Sequence, residues 1–513
     1  MQVDLRRVPE TAQPIDRGRS VLPRKLAVVG AFIGAGFFAG SAAVLPPQIG
    51  VAFPLALVLA VIVVRITWKR PEIGLVILVI GMPLQQIILA RLFAWGVGTQ
   101  LLGVARFWKE ALLILLAIKV LSTEVKLSRI DRLAGVYLAV TVAYLVIPLG
   151  PNPPYIRSIA AREMGAFVVV FLIARHLPLP EKTSRMVENG LLVVGAALAV
   201  LAFWNHFAPA SWATWLDSTQ LNQYRATLVD ERVITPAVTY TTFAGRQFVR
   251  AGSIMTYLTL PYFLAIPVGV ALARGAAGRA GRWVVFAGLV CTAGILVTIT
   301  RSAIGIAPVI AALALVLVRR KVRMVVVLGL IAAVVIPIAA SLSLTSQVRS
   351  GFDTNDESTA VHIERLGENN ERLWENPGGS GLGTSAAVAQ RFEVQGSITN
   401  ESWYFQIATD MGFLGAIAYI VFLLAVLASL VLRARKGSLS ALGAVCGLAW
   451  IALGGIVLHT LSDLSVSWSI FMLAGLALRP RPAEEAEDPV TTELTADDFG
   501  LEPETGAVGQ NVT

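Results

Sequence analysis

Residues 301–341 read RSAIGIAPVIAALALVLVRRKVRMVVVLGLIAAVVIPIAAS. Two apolar runs flank a knot of cations, Arg319, Arg320, Lys321 and Arg323. Each run is near the roughly 20 residues that a helix needs to cross a bilayer. Clustering of Lys and Arg in the connections between apolar segments is the mark of cytoplasmic loops of a membrane protein.

The same unit recurs in both directions along the chain. Apolar segments are expected at 25–45, 49–66, 72–90, 104–121, 130–149, 160–177, 186–208, 251–274, 282–300, 302–318, 324–341, 403–432, 440–460 and 464–478. If the N-terminus is cytoplasmic, every inner connection is basic. Arg6, Arg7, Arg17 and Arg19 precede the first segment; Arg65, Lys69 and Arg70 follow the second; Lys119, Lys126, Arg129 and Arg132 follow the fourth. Arg175, Lys182 and Arg185, then Arg274, Arg279 and Arg282, and finally Arg433, Arg435 and Lys436 continue the pattern. An error of one helix would break this alternation from that point on. The expectation is an all-α, polytopic membrane protein with about fourteen transmembrane helices and both termini inside.

Composition agrees. Of 513 residues, 56% are hydrophobic and 15% charged, against about a quarter charged in soluble domains. A soluble chain this apolar cannot cover itself with polar groups, and disordered, collagen-like and disulfide-scaffold classes are excluded by the same numbers. The net charge of +9 lies in the connections, so no nucleic-acid partner is expected. Cys291 and Cys446 sit inside apolar runs and read as small buried hydrophobes.

Four parts follow: a basic cytoplasmic tail at 1–24, a transmembrane region at 25–478, two long outer connections within it at 209–250 and 342–402, and an acidic, disordered cytoplasmic tail at 479–513. Segment 25–45 reads as a retained span, since thirteen more follow it. Asp356–Glu375 can form an amphipathic helix, stopped by Asn376-Pro377-Gly378-Gly379.

Charges at membrane depth are costly and mark function. Arg301 stands between two apolar segments with no loop. It can clamp an anion, or snorkel and cap helix carbonyls. Arg250 closes the first outer connection at the expected N-terminus of segment 251–274, with Arg246 four residues earlier; two arginines at one face point to a phosphate-bearing ligand. Glu401 opens segment 403–432 and can act as a general base or as a first-turn acid. Arg106, Lys109 and Glu110, and Arg162 and Glu163, can contact a lipid phosphate or pair with one another. His459 and Asp463, four apart, can couple on one helical face or form a polar helix end; His362 is a lone loop histidine. HExxH, P-loop, CxxC and DxD patterns are missing from the sequence, and no metal or cofactor is expected.

Three stretches together resemble the O-antigen ligase and polymerase superfamily, bacterial membrane glycosyltransferases that act on lipid-linked glycans. They are Thr300-Arg301-Ser302-Ala303 opening an apolar helix; Arg372-Leu373-Trp374 followed by Asn376-Pro377-Gly378-Gly379-Ser380-Gly381-Leu382-Gly383; and the helix 401–415. The resemblance covers about residues 250–432. It implies a GT-C-like fold and an enzyme that is metal-independent. The donor would be a polyprenyl-pyrophosphate-linked glycan, and the acceptor a glycan or lipid-linked sugar at the outer face of the cell membrane. Taken with the charges above, the reading expects Glu401 as the catalytic base and Arg246, Arg250, Arg301 and Arg372 as substrate-binding residues. The chain departs at 401, where ligases carry histidine, and at Ser402, where they carry asparagine. This departure argues against a lipopolysaccharide ligase and leaves a polymerase or another glycan transferase. The alternative is a transporter or flippase for polysaccharide or lipid-linked glycan; against it, the sequence shows no repeat and no obvious pair of broken helices.

Overall fold

The computed structural model describes residues 60–147, 149–150, 152–226, 238–243, 246–318, 321–341, 357–392, 394 and 401–480. The expected segment 25–45, most of 49–66, the N-terminal tail and residues 481–513 lie outside them. After a helical stretch at 60–69 come α1 (Pro71–Ala94), α2 (Thr99–Ala105), α3 (Trp108–Leu121), α4 (Arg129–Val146), α5 (Pro154–His176), α6 (Lys182–Phe207), α7 (Pro209–Ser218) and α8 (Leu221–Ala226). A hairpin of β1 (Thr239–Phe243) and β2 (Arg246–Arg250) follows, then α9 (Leu260–Ala276), α10 (Arg282–Val297), α11 (Arg301–Leu317) and α12 (Lys321–Ser341). The chain continues with α13 (Glu357–Glu375), α14 (Ala386–Arg391), α15 (Trp403–Arg435), α16 (Leu439–Gly454) and α17 (Leu464–Ala477). Among the described residues the architecture is all-α apart from the hairpin, which hydropathy could not reveal.

Among the described residues, four helices, α1, α6, α12 and α15, are long and apolar enough to cross a membrane, and five shorter apolar helices, α9, α10, α11, α16 and α17, accompany them. The helices carry apolar side chains outside as well as inside. Ile114, Val136, Val200, Val316, Leu414 and Leu424 are all more than half exposed. A soluble monomer does not present such a surface; a membrane protein does.

The interior is held by close backbone approach and aromatic packing. A Cβ at Gly269 of α9 would meet the Gly443 carbonyl oxygen at 2.7 Å, so α9 and α16 pack nearly backbone to backbone. Small residues permit this where lipid offers no hydrophobic drive between helices. Between α4, α5, α15 and α17, the rings of Phe167 and Phe471 (4.6 Å), Tyr137 and Tyr419 (5.7 Å), and Phe422 and Phe471 (5.8 Å) form one cluster. Tyr137 satisfies its hydroxyl on the Met164 carbonyl at 3.0 Å. Cys291 and Cys446 are buried free thiols, as expected.

Hydrogen bonds sort the connections into two sets. In one, Arg274 meets Glu188 (Nε–Oε2 3.0 Å), Ser440 donates to the same carboxylate (2.6 Å), Arg175 pairs with Asp131 (2.9 Å), and Arg433 donates to the Ala477 carbonyl (3.0 Å). These are the basic connections. In the other, Asn205 donates to Gly252 (3.1 Å), Thr300 to Tyr257 (2.8 Å), Ser402 to Gly455 (3.1 Å) and Asn152 to Leu382 (2.9 Å). Helices that run up and down produce this sorting.

Several boundaries differ from expectation. Segment 104–121 divides at Arg106–Phe107 into α2 and α3. Segment 251–274 begins as a loop, and its helix starts at Leu260. The connection 209–250 holds two short helices and the hairpin. Helix α15 is broken at Gly412 (φ 62°, ψ −168°), a conformation open essentially to glycine alone; the sequence showed no such break.

Candidate functional site

The site is built by the second set of connections. The first helical residue of α11 is Arg301, with Thr300 before it in extended conformation. The Thr300 hydroxyl donates to the Tyr257 carbonyl at 2.8 Å, and Ser302 shares a 2.8 Å hydrogen bond with the Tyr262 hydroxyl. These bonds pin the start of α11 against loop 251–259 and the first turn of α9. The N–H groups of a helix start favour anions, so Arg301 stands where the backbone already favours negative charge.

Arg250 is not at a helix N-terminus as expected. It ends β2, paired with Thr239 in the register of the hairpin, and Ala251 N–H then donates to the Val297 carbonyl at the end of α10 (3.1 Å). The Arg250 guanidinium lies over the Tyr257 ring, 4.0 Å from its centroid. Its Nε is buried without a hydrogen-bond partner. Burial pulls its pKa below the ordinary value; Tyr257 pushes it back up, and the charge of Arg301 lowers it further. The charge of Arg301 is thus felt at Arg250. Two cations within electrostatic reach of each other, one of them largely buried, favour a polyanion. Arg246 begins the same strand, and its side chain lies outside the described residues.

Glu401 precedes the Ser402 N-cap of α15, so it is neither the cap nor a first-turn residue. The Ser402 hydroxyl and Trp403 N–H both donate to the Gly455 carbonyl at the end of α16 (3.1 and 2.9 Å). This fixes the backbone at Glu401. Its carboxylate, 27% exposed, pairs with Arg365 of the amphipathic helix α13. Sequence reading missed Arg365; the amphipathic pattern of 356–375 was its one trace. His459 lies against the Glu401 backbone, and burial lowers its pKa while Glu401 partly offsets this. His459 and Asp463 do not share a helix face: α16 ends at Gly454, and Asp463 caps α17 by accepting from Ser465 N–H (2.8 Å). The side chain of His362 lies outside the described residues. Arg372 is exposed on α13, two turns beyond Arg365.

The arginine pair and the Glu401 group are linked through the turn 455–463. Thr259, at the end of the loop that follows Arg250, lies beside Asp463, and the same turn carries Gly455 and His459 to Glu401. Arg250, Arg301 and Glu401 thus lie on one connected set of loops.

The glycine turn has a structural explanation. Ser380 and Gly381 N–H groups donate to the Thr409 and Asp410 carbonyls (2.7 and 3.1 Å), and Phe413 N–H donates to Pro377 (3.0 Å). These bonds satisfy the groups that the break at Gly412 releases. A Cβ at Gly412 would collide with the Pro377 carbonyl. Asp410, fully buried, accepts from Gly383 N–H (2.9 Å), Thr384 (3.1 Å) and Ser385 (2.7 Å). Asp410→Asn turns an acceptor toward three donors into a partial donor. It is expected to lower stability by about 3 kcal/mol, read as a fall in the thermal unfolding midpoint of the purified protein.

No group of three or more His, Cys, Asp or Glu positioned to hold a metal occurs among the described residues. A cavity of about 50 Å³ between α9, α10 and α12 is lined by apolar residues such as Val268, Leu272, Leu289 and Ile331, with Thr292; none of the site residues borders it. No protein-family model matches the chain, and no curated protein matches its sequence.

Proposed function

We propose that the chain is a multi-pass glycosyltransferase of the cell membrane, GT-C-like and metal-independent. It transfers a polyprenyl-pyrophosphate-linked oligosaccharide or polysaccharide to a glycan or lipid-linked acceptor at the outer face. The observation that carries the reading is the pairing of Arg250 and Arg301 beside Tyr257, on loops that also reach Glu401. In the reaction the bond between the sugar C1 and the pyrophosphate oxygen breaks as the acceptor hydroxyl bonds to C1. Negative charge grows on the leaving pyrophosphate, where the two guanidinium groups stabilise it. Glu401 takes the acceptor's proton. Arg365 holds that carboxylate in place.

About fourteen crossings and an outward site belong to the same reading. Exposed aromatic side chains support a membrane setting: Trp95, Phe107, Tyr155, Phe207 and Trp374 stand at or near the ends of elements, as an interfacial belt does. Labelling of single cysteines from outside tests the orientation. Ser358→Cys is expected to react and Ser438→Cys to stay protected, with Cys291 and Cys446 buried and silent. Labelling at 438 alone would reverse the topology.

The transporter alternative draws on the break in α15, since broken helices bind substrates in transporters. Here the groups at the break bond to Pro377, Ser380 and Gly381 of the chain itself, which favours a structural turn. A deletion strain with its surface glycan analysed tests the activity. Short chains left on lipid carrier indicate a polymerase and long unattached chains a ligase; unchanged glycan would sink the proposal.

A further inference from the structure

The joint between α10 and α11 is strained at one residue. Helix α10 ends at Val297 with Thr298 as its C-cap, and α11 begins at Arg301. Between them Ile299 has φ 51°, a left-handed backbone that is a genuine outlier for a β-branched side chain. The residue after a helix C-cap often adopts this conformation, and glycine is its usual occupant. The chain follows that rule after α1, α9 and α15, with Gly96 (φ 84°), Gly278 (φ 68°) and Gly437 (φ 95°). Among the described residues only Gln220, after α7, shares the exception with Ile299. Ile299 closes its helix as those glycines do, its N–H donating to the Leu296 carbonyl at 3.0 Å.

The Ile299 side chain is 2% exposed and belongs to the apolar interior. Its burial holds the backbone in a conformation that isoleucine does not favour by itself. Strain of this kind persists only where the surroundings over-determine it, and it gathers at functional sites. Two hydrogen bonds show what the joint holds. On one side of Ile299 the Val297 carbonyl accepts from Ala251 N–H (3.1 Å); on the other the Thr300 hydroxyl donates to the Tyr257 carbonyl (2.8 Å). Ala251 follows Arg250, and the Arg250 guanidinium lies over the Tyr257 ring at 4.0 Å. Arg301 opens the helix on the far side of the joint. Ile299 therefore stands between the anchor points of both arginines.

We propose that Ile299 is a positioning residue: its buried side chain locks the joint and so fixes the spacing of Arg250 and Arg301 for a pyrophosphate. This rests on the reading of the two arginines as the donor's anion site. A loose joint would have to be ordered when the anion binds, and that ordering subtracts from affinity. A joint fixed beforehand avoids the loss and keeps both cations in place as charge grows on the leaving group. Glycine would accept the same φ without strain, but it would leave the joint without an anchor.

The test titrates the purified full chain in uncharged detergent with inorganic pyrophosphate, by calorimetry, and records the thermal unfolding midpoint of each variant. Ile299→Gly is expected to weaken binding roughly 10-fold. Ile299→Leu keeps an apolar anchor of the same volume and is expected to stay within about twofold of the wild type. Ile310→Ala, at a comparably buried residue of α11, is expected to lower the midpoint and leave the affinity unchanged. Spacing is a property of the pair, so in an Arg301→Gln background Ile299→Gly is expected to cost less than about threefold. Ile299→Ala also removes the anchor and takes the place of the glycine variant if that chain does not fold. Wild-type affinity in the glycine or alanine variant would assign Ile299 to the core alone and overturn the proposal. So would an equal loss in Ile310→Ala, or the full loss persisting in the Arg301→Gln background. In each of those cases a weakened Arg301→Gln leaves the anion site standing. If Arg301→Gln itself binds pyrophosphate as the wild type does, the anion site fails and the positioning role falls with it.

Discussion

Glu401→Gln is expected to lower the transfer rate by roughly 10²–10⁴-fold, the usual contribution of a general base, with protein level and donor binding retained. The amide keeps the size of the side chain and most of its hydrogen bonding but takes no proton at neutral pH. Folding should change little. The carboxylate is 27% exposed and its Arg365 partner 36%, and partly exposed ion pairs contribute only about 0–1 kcal/mol. The helix end is held by Ser402 and Trp403 on the Gly455 carbonyl, not by Glu401. A large loss of rate with an unchanged unfolding midpoint therefore identifies the base. Glu401→His should keep part of the activity. Arg365→Gln should reduce the rate less than Glu401→Gln, because the base remains while its positioning partner is lost. If Glu401→Gln turns over at the wild-type rate, the proton goes elsewhere, and His459, against the Glu401 backbone, is the next group to test.

Arg301→Ala and Arg250→Ala are each expected to reduce transfer by roughly 10²–10³-fold, the scale of removing one donor to developing negative charge. Lysine should separate them. At 301 the site combines a cation with the start of α11, so Arg301→Lys keeps the charge where the backbone also favours an anion. At 250 the guanidinium stacks on Tyr257 at 4.0 Å. An ammonium loses the flat contact and the bidentate fork, so Arg250→Lys should recover little. Single-turnover rates with saturating donor check both. Wild-type rates in either alanine variant would reduce that arginine to a lipid-headgroup contact.

Much of the helical framework was legible locally. The run expected at 302–318 is observed at Arg301–Leu317, and that expected at 403–432 at Trp403–Arg435. In an apolar medium each helix must satisfy its own backbone within its own segment, so run length and flanking charge suffice to place it. Thr300-Arg301 at the start of a helix was legible for the same reason.

The site's connectivity was not. The seating of Arg250 beside the end of α10, the break at Gly412 and the pairing of Glu401 with Arg365 each depend on residues distant in the chain. Residues 251–259 read as the start of a helix because they are fairly apolar. The fold leaves them as a loop, since Ala251 N–H bonds to Val297 and the Tyr257 carbonyl accepts from Thr300. At Gly412 the helix can break because residues 377–381 supply the hydrogen bonds that the helix gives up. Arg365 meets Glu401 across 36 residues. Hydropathy is a property of a segment, so it determined which residues form helices. Which carbonyl or carboxylate answers which donor is a property of segments packed together, and only the tertiary structure decided it.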